Sequence, residues 1–487
     1  MRILFLSAEL NRMPRLGISS LAACLSADGH EVRHAVAARL GEKRLRDLMR
    51  TFKPDIVGYS IMTYDYESHV ALNRELKKEF RFRAVFGGIH PTFLPEMIED
   101  DPECDAICIG EGEWALAEFC RRIQEGGAYW QTPNFWVRHD GVIHRNPLRP
   151  LATSLDVFPV PDHRVLYEGD PYLARLGWKI FMASRGCPHA CSYCFNAQWN
   201  RIYRGCRPVV RHRAPHAVID EICAVKERYP LRAVGFCDDD FALKPEGWME
   251  AFCSEYRDRV GLPFGCTCRP EHVTDELIGL LKATGLCAMW IAVECADERV
   301  ANEVLRRNLK NEQILKATEV AKKHGIRLFL FNLVGIPVEN SFETDLKTLD
   351  FNVAVRPTYS LATLLYPWPG TSIHDYAVEH GFLSPGERLS PSVRRFSVFS
   401  FRSPAEKRKI ENLHKLFDFF VRFPWLRKHC EAICSLPLSW IYLAVYLVWQ
   451  AYVMAVKQWP PRASLPVRSI REHLTNARLM LRLFRTP

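Results

Sequence analysis

Several common patterns are missing from this chain, and each absence narrows what it does. No G-x-G-x-x-G follows the first apolar run, Arg2–Ser7, which argues against a dinucleotide there. No recognisable nucleophile–base–acid triad motif is present. The opening Met1–Ser7 run is too short for a secretory signal and passes into polar Glu9 and Asn11, so a cytoplasmic location is expected. Excess charge is small, +9 from 65 basic and 56 acidic residues. No stretch interleaves basic residues with aromatics as a nucleic-acid groove does, and no nucleic-acid partner is expected. The 17 cysteines are scattered, and most, such as Cys108, Cys120, Cys237 and Cys287, sit in apolar segments. That suits buried thiols in a reducing compartment rather than a disulfide framework.

Three cysteines do fall together, in Ser184-Arg185-Gly186-Cys187-Pro188-His189-Ala190-Cys191-Ser192-Tyr193-Cys194-Phe195. The C-x3-C-x2-C spacing gathers three thiolates on one short loop. Three thiolates can hold three irons of a cubic cluster and leave the fourth without a protein ligand. An open metal position is where chemistry takes place, as in catalytic zinc sites. Zinc would ask for a fourth ligand at close spacing, for which His189 is the near candidate. The loop, with aromatic Tyr193 beside its last cysteine, resembles the cluster motif of the radical S-adenosylmethionine (SAM) enzymes. In that family SAM's amino and carboxylate groups chelate the open iron.

With 487 residues, two or three domains are expected. In residues 1–150, strand candidates Arg2–Ser7, Glu31–Ala35, Asp55–Ile61, Arg83–Phe86 and Ala106–Ile109 alternate mostly with helical patterns. This predicts a doubly wound parallel sheet of Rossmann type whose ligand binds at the strands' carboxyl ends. The segments there are small and polar. They contain Ser60 and Thr63, then Gly87, Gly88, His90 and Thr92, then Gly110 and Glu111. Glycine lets backbone approach a bulky planar ligand closely. The set resembles the cobalamin-binding domain that precedes many radical SAM domains. The histidine ligand motif D-x-H-x-x-G of other cobalamin domains is missing, since Asp28-Gly29-His30 has no glycine at the required spacing. Radical SAM relatives commonly bind cobalamin without it, so the resemblance leaves the lower cobalt ligand unassigned. A Rossmann-like domain without cobalamin stays open as the alternative, and His90 reads as structural.

Leu151 to about Leu176 is rich in Pro and Asp and reads as a linker. Beyond it, within 151–385, six strand candidates alternate with helices: Lys179–Ser184, Arg232–Cys237, Pro263–Cys268, Ala288–Glu294, Arg327–Leu333 and Thr358–Tyr366. Six repeats predict a partial (β/α)6 barrel with functional residues at the strand carboxyl ends. The cysteine loop follows the first strand. The second ends at Asp238-Asp239-Asp240, similar to the family's acidic strand end, where Asp238 and Asp240 would orient SAM or substrate or else cap the next helix. Arg269 follows the third and could pair with a carboxylate. The fourth ends at Glu294, similar to the family glutamate that contacts SAM, with a core ion pair as the alternative. Arg306 lies in a basic stretch similar to the one after that strand, as a SAM carboxylate partner or a solvated helix end. Tyr366-Pro367-Trp368-Pro369-Gly370-Thr371 resembles the family's P-G-T turn.

The resemblance to cobalamin-binding radical SAM enzymes covers roughly residues 1–385. It implies a [4Fe-4S] cluster on Cys187, Cys191 and Cys194, with Tyr193 beside it, that reduces SAM to a 5′-deoxyadenosyl radical. Methylcobalamin would then supply a methyl group to an unactivated carbon. The expected partners are a small apolar substrate, lipid or tetrapyrrole-like, and an electron donor such as flavodoxin or ferredoxin. A rearrangement or oxidative cyclisation without methyl transfer is the second reading. A cobalamin sensor with a structural cluster is a third.

Residues 386–487 are expected to be helical, apolar and basic. From Ile433 to Val456 there is no charged residue, and the stretch beyond is rich in arginine. As one helix the apolar run would reach about 36 Å, but Pro437 interrupts its start and its aromatics do not form two belts. A helix closing the barrel's open side and peripheral membrane contact through 433–487, helped by a basic helix Val467–Phe484, are the two readings favoured over a full span.

Overall fold

The computed structural model describes residues 1–9, 13–386 and 396–453. They divide into two compact units. One holds Met1–Arg175 with Tyr203–Pro230, the other Leu176–Ile202 with the chain from Leu231 onward.

The first unit is built on strands β1 (Arg2–Ser7), β2 (Glu31–Val36), β3 (Ile56–Ser60), β4 (Arg83–Gly87), β5 (Ala106–Cys108), β6 (Phe135–His139) and β7 (Val142–Arg145). Their order is β2-β1-β3-β4-β5-β6-β7, parallel through β5. A parallel sheet is covered on both faces, so its strands read as unbroken apolar runs. Ile3, Leu4, Phe5 and Leu6 are accordingly all buried. Helices Glu42–Phe52 and Tyr66–Lys77 contribute Leu45, Met49, Phe52, Val70 and Leu76 to a core around Val57, Tyr59 and Phe86. The last two strands form an antiparallel hairpin on β5. Its turn is Asp140-Gly141, and both residues adopt positive φ, 49° and 75°. The Pro- and Asp-rich stretch carries two short helices, His163–Gly169 and Pro171–Arg175, rather than open linker. Burial of Val165, Leu166, Tyr167 and Leu173 explains why the chain winds there.

In the second unit, β8 (Trp178–Phe181), β9 (Ala233–Phe236), β10 (Phe264–Thr267), β11 (Leu286–Glu294), β12 (Arg327–Val334) and β13 (Tyr359–Leu364) are all parallel. They pair in the linear order β13-β12-β11-β10-β9-β8, the arrangement of a partial (β/α)6 barrel. All six carboxyl ends therefore point the same way.

Helix Pro404–Arg422 packs on β13 and on helix Ser341–Val355. Helix Ser439–Tyr452 lies on it in turn, with Trp449 Nε1 donating to Asp418 Oδ2 at 2.8 Å and Gln450 Nε2 donating to the Tyr359 hydroxyl at 2.6 Å. Among the described residues no helix is long and apolar enough to cross a membrane. The expected basic helix 467–484, and with it most of the proposed membrane segment, lies outside the described residues.

Candidate active site

The cysteine loop leaves the carboxyl end of β8 and runs into helix Phe195–Ile202. Gly186 starts it at φ 101°, a backbone conformation that side chains disfavour. Backbone and hydroxyl contacts pin it on several sides. Ser192 N donates to Leu305 O at 3.0 Å and Ser192 Oγ to Val304 O at 2.7 Å, while Ile373 N donates to Ser192 O at 3.0 Å. Asn200 Nδ2 donates to Cys187 O at 2.8 Å, and Cys194 N to Cys191 O at 3.1 Å.

Burial pushes the Cys187 thiol up to about 11 and that of Cys194 to about 12. A thiolate on Cys191 would push both further up, as expected of sulfurs that share one loop. A coordinating metal removes such protons outright. Among the described residues no three His, Cys, Asp or Glu side chains form a group that could hold one metal ion. A cubic cluster asks for something different, a separate iron for each thiolate. The donor set thus fits a cluster held at three of its corners.

Tyr193 is carried inward by the same loop. Its hydroxyl accepts from Arg307 Nη1 at 2.7 Å and donates to Glu294 Oε1 at 3.4 Å. Glu294 ends β11 at φ 61°, where the register with β12 shifts. Burial raises its pKa, opposed by Arg307, 3.8 Å away, and by Tyr193. Burial works against the charge on Arg307, yet Tyr193 and Glu294 leave its pKa raised. Arg306, the arginine expected here, is exposed. The chain turns through φ 54° at Arg306, and it is the next residue, Arg307, that enters the network.

Arg307 also ties the network to the cluster loop. Its carbonyl accepts from Arg269 Nη2 at 3.2 Å, and Arg269 Nη1 lies 4.0 Å from Cys191 Sγ. The sequence spacing of Arg307 carries no signal of this contact.

The three aspartates after β9 divide their roles. Asp238 accepts from Ser184 Oγ, from Ala183 N at 3.1 Å and from Lys244 Nζ at 3.2 Å. Asp240 accepts from the backbone of Ala242 and Arg269 and pairs with His272 Nδ1 at 2.5 Å. Both carboxylates are thus engaged within the protein. Asp239 reaches solvent and accepts from Asn196 Nδ2 at 2.8 Å. Partial enclosure raises its pKa, its two neighbours add to the rise, and Asn196 opposes it.

In the first unit the loops after β3, β4 and β5 meet at the sheet's carboxyl edge. Thr92 Oγ1 donates to Gly88 O at 2.7 Å and accepts from Gly110 N at 3.0 Å, which joins two of them. Thr63 Oγ1 lies 3.3 Å from His90 Nδ1, and Ser60 is half-buried at the end of β3. Burial lowers His90 to about 4, and its ring stacks on Tyr66. His30 sits at the amino end of β2 beside the N-terminal nitrogen, at the edge opposite these loops. Gly87 has room, since an added Cβ would come no closer than 3.8 Å to another atom. Gly88 and Gly110 serve the protein's own packing. A Cβ there would lie 2.7 Å from Ile61 O or against the Tyr203 hydroxyl. Glu111 receives both terminal nitrogens of buried Arg211, at 2.8 and 2.7 Å. Ser60, Thr63, Gly87 and the backbone of the joined loops leave a small, polar edge, the kind of surface a planar corrinoid would need.

Known proteins place both units. The model of the B12 binding domain matches residues 3–120 and that of the radical SAM superfamily residues 182–349. An uncharacterized methyltransferase of Pyrococcus horikoshii is 25% identical over 378 residues, 76% of this chain and 80% of its own. The anaerobic magnesium-protoporphyrin IX monomethyl ester cyclase of Rubrivivax gelatinosus is 26% identical over 453 residues, 86% of this chain and 76% of its own. The fold is shared with the radical S-adenosylmethionine methyltransferase TsrM from Kitasatospora setae, solved with cobalamin and a [4Fe-4S] cluster bound. The TM-score is 0.64 at 15% identity, over 89% of this chain and 98% of that one. With a B12 binding domain ahead of a three-cysteine barrel, the chain belongs to the cobalamin-binding radical SAM enzymes, whose cofactors are a [4Fe-4S] cluster, SAM and cobalamin.

Proposed function

We propose that this enzyme transfers a methyl group to an unactivated carbon of an apolar substrate, lipid or tetrapyrrole-like. The carrying observation is the pairing of a three-thiol loop at the carboxyl end of β8 with a B12 binding domain in one chain. When bound, the cluster and SAM supply a radical that opens a C–H bond, and cobalamin supplies the methyl group.

The protein's task is then to hold and orient. Cys187, Cys191 and Cys194 hold the cluster. Glu294, with Tyr193 and Arg307 behind it, presents a carboxylate beside the loop suited to an amino or hydroxyl group of SAM. Asp239 offers a second acceptor nearby. Asp238 and Asp240 act one step removed, by fixing the ends of β8 and the segment that carries Arg269. Ser60, Thr63, Gly87, Gly88, Thr92, Gly110 and Glu111 form the cobalamin rim, the last four by holding its loops. An electron donor such as flavodoxin or ferredoxin supplies the electron, and the C-terminal region meets a membrane peripherally. The uncharacterized methyltransferase of Pyrococcus horikoshii supports methyl transfer. The cyclase supports a second reading, oxidative cyclisation of a tetrapyrrole without methyl transfer.

Anaerobic turnover of the reconstituted protein with methyl-labelled SAM and a membrane extract of the source cells separates them. Label in an organic-soluble product together with released 5′-deoxyadenosine is expected. Release of 5′-deoxyadenosine with an unlabelled new product would select cyclisation, and intact SAM would overturn both.

A further inference from the structure

Helix Ser439–Tyr452 is apolar on its outer face as well as on the face that packs Tyr442, Val445 and Trp449 inward. At about 100° per residue, Trp440, Ala444, Val448, Ala451 and Tyr452 share one face spanning about 120°. All five are exposed, Trp440 to 73% and Val448 to 72%. The hydrogen-bonding groups instead turn inward. Trp449 and Gln450 bond Asp418 and Tyr359, and Tyr442 donates to Ile433 O at 2.8 Å. A surface helix ordinarily shows polar residues to water. This outward face carries no charged or amide side chain at all, only a tryptophan at one end and a tyrosine at the other. Amphipathic aromatics at the margins of an apolar strip suit a lipid headgroup boundary.

Charge selects the occupant. The approach to the helix exposes Lys428 near Trp425, itself 67% exposed, while the nearby acid Glu431 is paired with Lys409. The sequence immediately after the helix, 454–487, holds Lys457, Arg462, Arg468, Arg471, Arg478, Arg482 and Arg485 against a single acid, Glu472. An apolar strip followed in sequence by so basic a segment complements an anionic leaflet, and a second copy of this equally basic region would be repelled. Among the described residues no helix is long and apolar enough to cross a membrane, and a helix with an apolar outer face suits lying in the membrane boundary.

We propose that the face formed by Trp440, Ala444, Val448 and Tyr452 docks this enzyme on an anionic lipid surface. This deepens the proposed peripheral membrane contact, and its test needs neither SAM nor substrate. Its failure would therefore leave the methyl-transfer reading standing. The full-length holoenzyme is floated with vesicles of phosphatidylglycerol and phosphatidylcholine in equal parts, and with phosphatidylcholine alone. Binding to the anionic vesicles that weakens with added salt is expected. The double variant W440E/V448E should lower partitioning by about tenfold or more, since each change drives a charge into the boundary. Both residues are exposed, so its thermal unfolding should match that of the wild type. Failure of the wild type to bind anionic vesicles at low salt would overturn the proposal. Equal binding by the variant would do so too. Light scattering that shows a dimer broken by the variant, with no vesicle binding, would assign the face to a second copy instead.

Discussion

The Arg307 guanidinium donates to the Tyr193 hydroxyl at 2.7 Å and lies 3.8 Å from Glu294 Oε1, so one buried cation serves the cluster loop and the end of β11 together. Its removal leaves the largely enclosed Glu294 carboxylate without its counter-charge. Such a loss costs about 3–5 kcal/mol. Arg307→Ala should lower stability by that order and weaken SAM binding. Arg306→Ala, at an exposed position, should stay within about 0.5 kcal/mol of wild type. Denaturant unfolding of the two variants side by side checks this, and equal effects would sink the assignment of Arg307.

Cys191 is the buried member of the cluster thiols and lies beside Arg269. Cys191→Ala should strip iron and abolish SAM cleavage. Cobalamin should remain, because its candidate loops belong to the other compact unit. Iron content and the cobalamin absorbance of the same sample report the two outcomes independently. Retained SAM cleavage would remove the basis for radical chemistry at this loop.

These residues also show what was legible in advance. The cysteine loop could be read because metal ligation demands a short spacing. The parallel strands could be read because burial on both faces writes them as apolar runs, Ile3–Leu6 among them. The β6–β7 hairpin has a sign of its own in the sequence, Asp140-Gly141 between β-forming residues, which suits the two positive φ values of a tight turn. Arg307 had no such sign. Only a backbone reversal at Arg306 decides which of two adjacent arginines turns inward. The engagement of Asp238 and Asp240 was equally hidden. Their partners Ser184, 54 residues away, and His272, 32 away, meet them only through the parallel order of β8, β9 and β10.

His272 is held by Asp240, and that hydrogen bond raises its pKa above the ordinary 6.5, against the effect of partial burial. A raised folded-state pKa means that the folded form binds the proton more tightly than the unfolded chain. The resulting stabilisation is complete below about pH 6.5 and fades as pH rises through the raised value. His272→Gln should therefore cost more stability at about pH 6 than at about pH 9. Thermal unfolding of both proteins at the two values measures it. A difference that grows with pH would contradict the pairing.

Gly110 and Tyr203 make the most local test of the cobalamin rim. Gly110 sits at φ 81°, and a Cβ there would overlap the Tyr203 hydroxyl, 1.9 Å away, with the ring carbon behind it at 3.0 Å. Gly110→Ala thus meets two penalties, backbone strain of about 1–3 kcal/mol and displacement of a tyrosine. The clash falls mainly on one oxygen, so Tyr203→Phe should relieve part of it. The double variant should be more stable than the sum of the single changes predicts, a coupling that contacts of this kind show. Because Gly110 N also donates to Thr92, the single variant should loosen the joined loops and weaken cobalamin binding. Unfolding curves give the coupling, and cobalamin titration followed by absorbance gives the affinity. Strict additivity, with cobalamin binding untouched, would mean that this loop is not part of the rim.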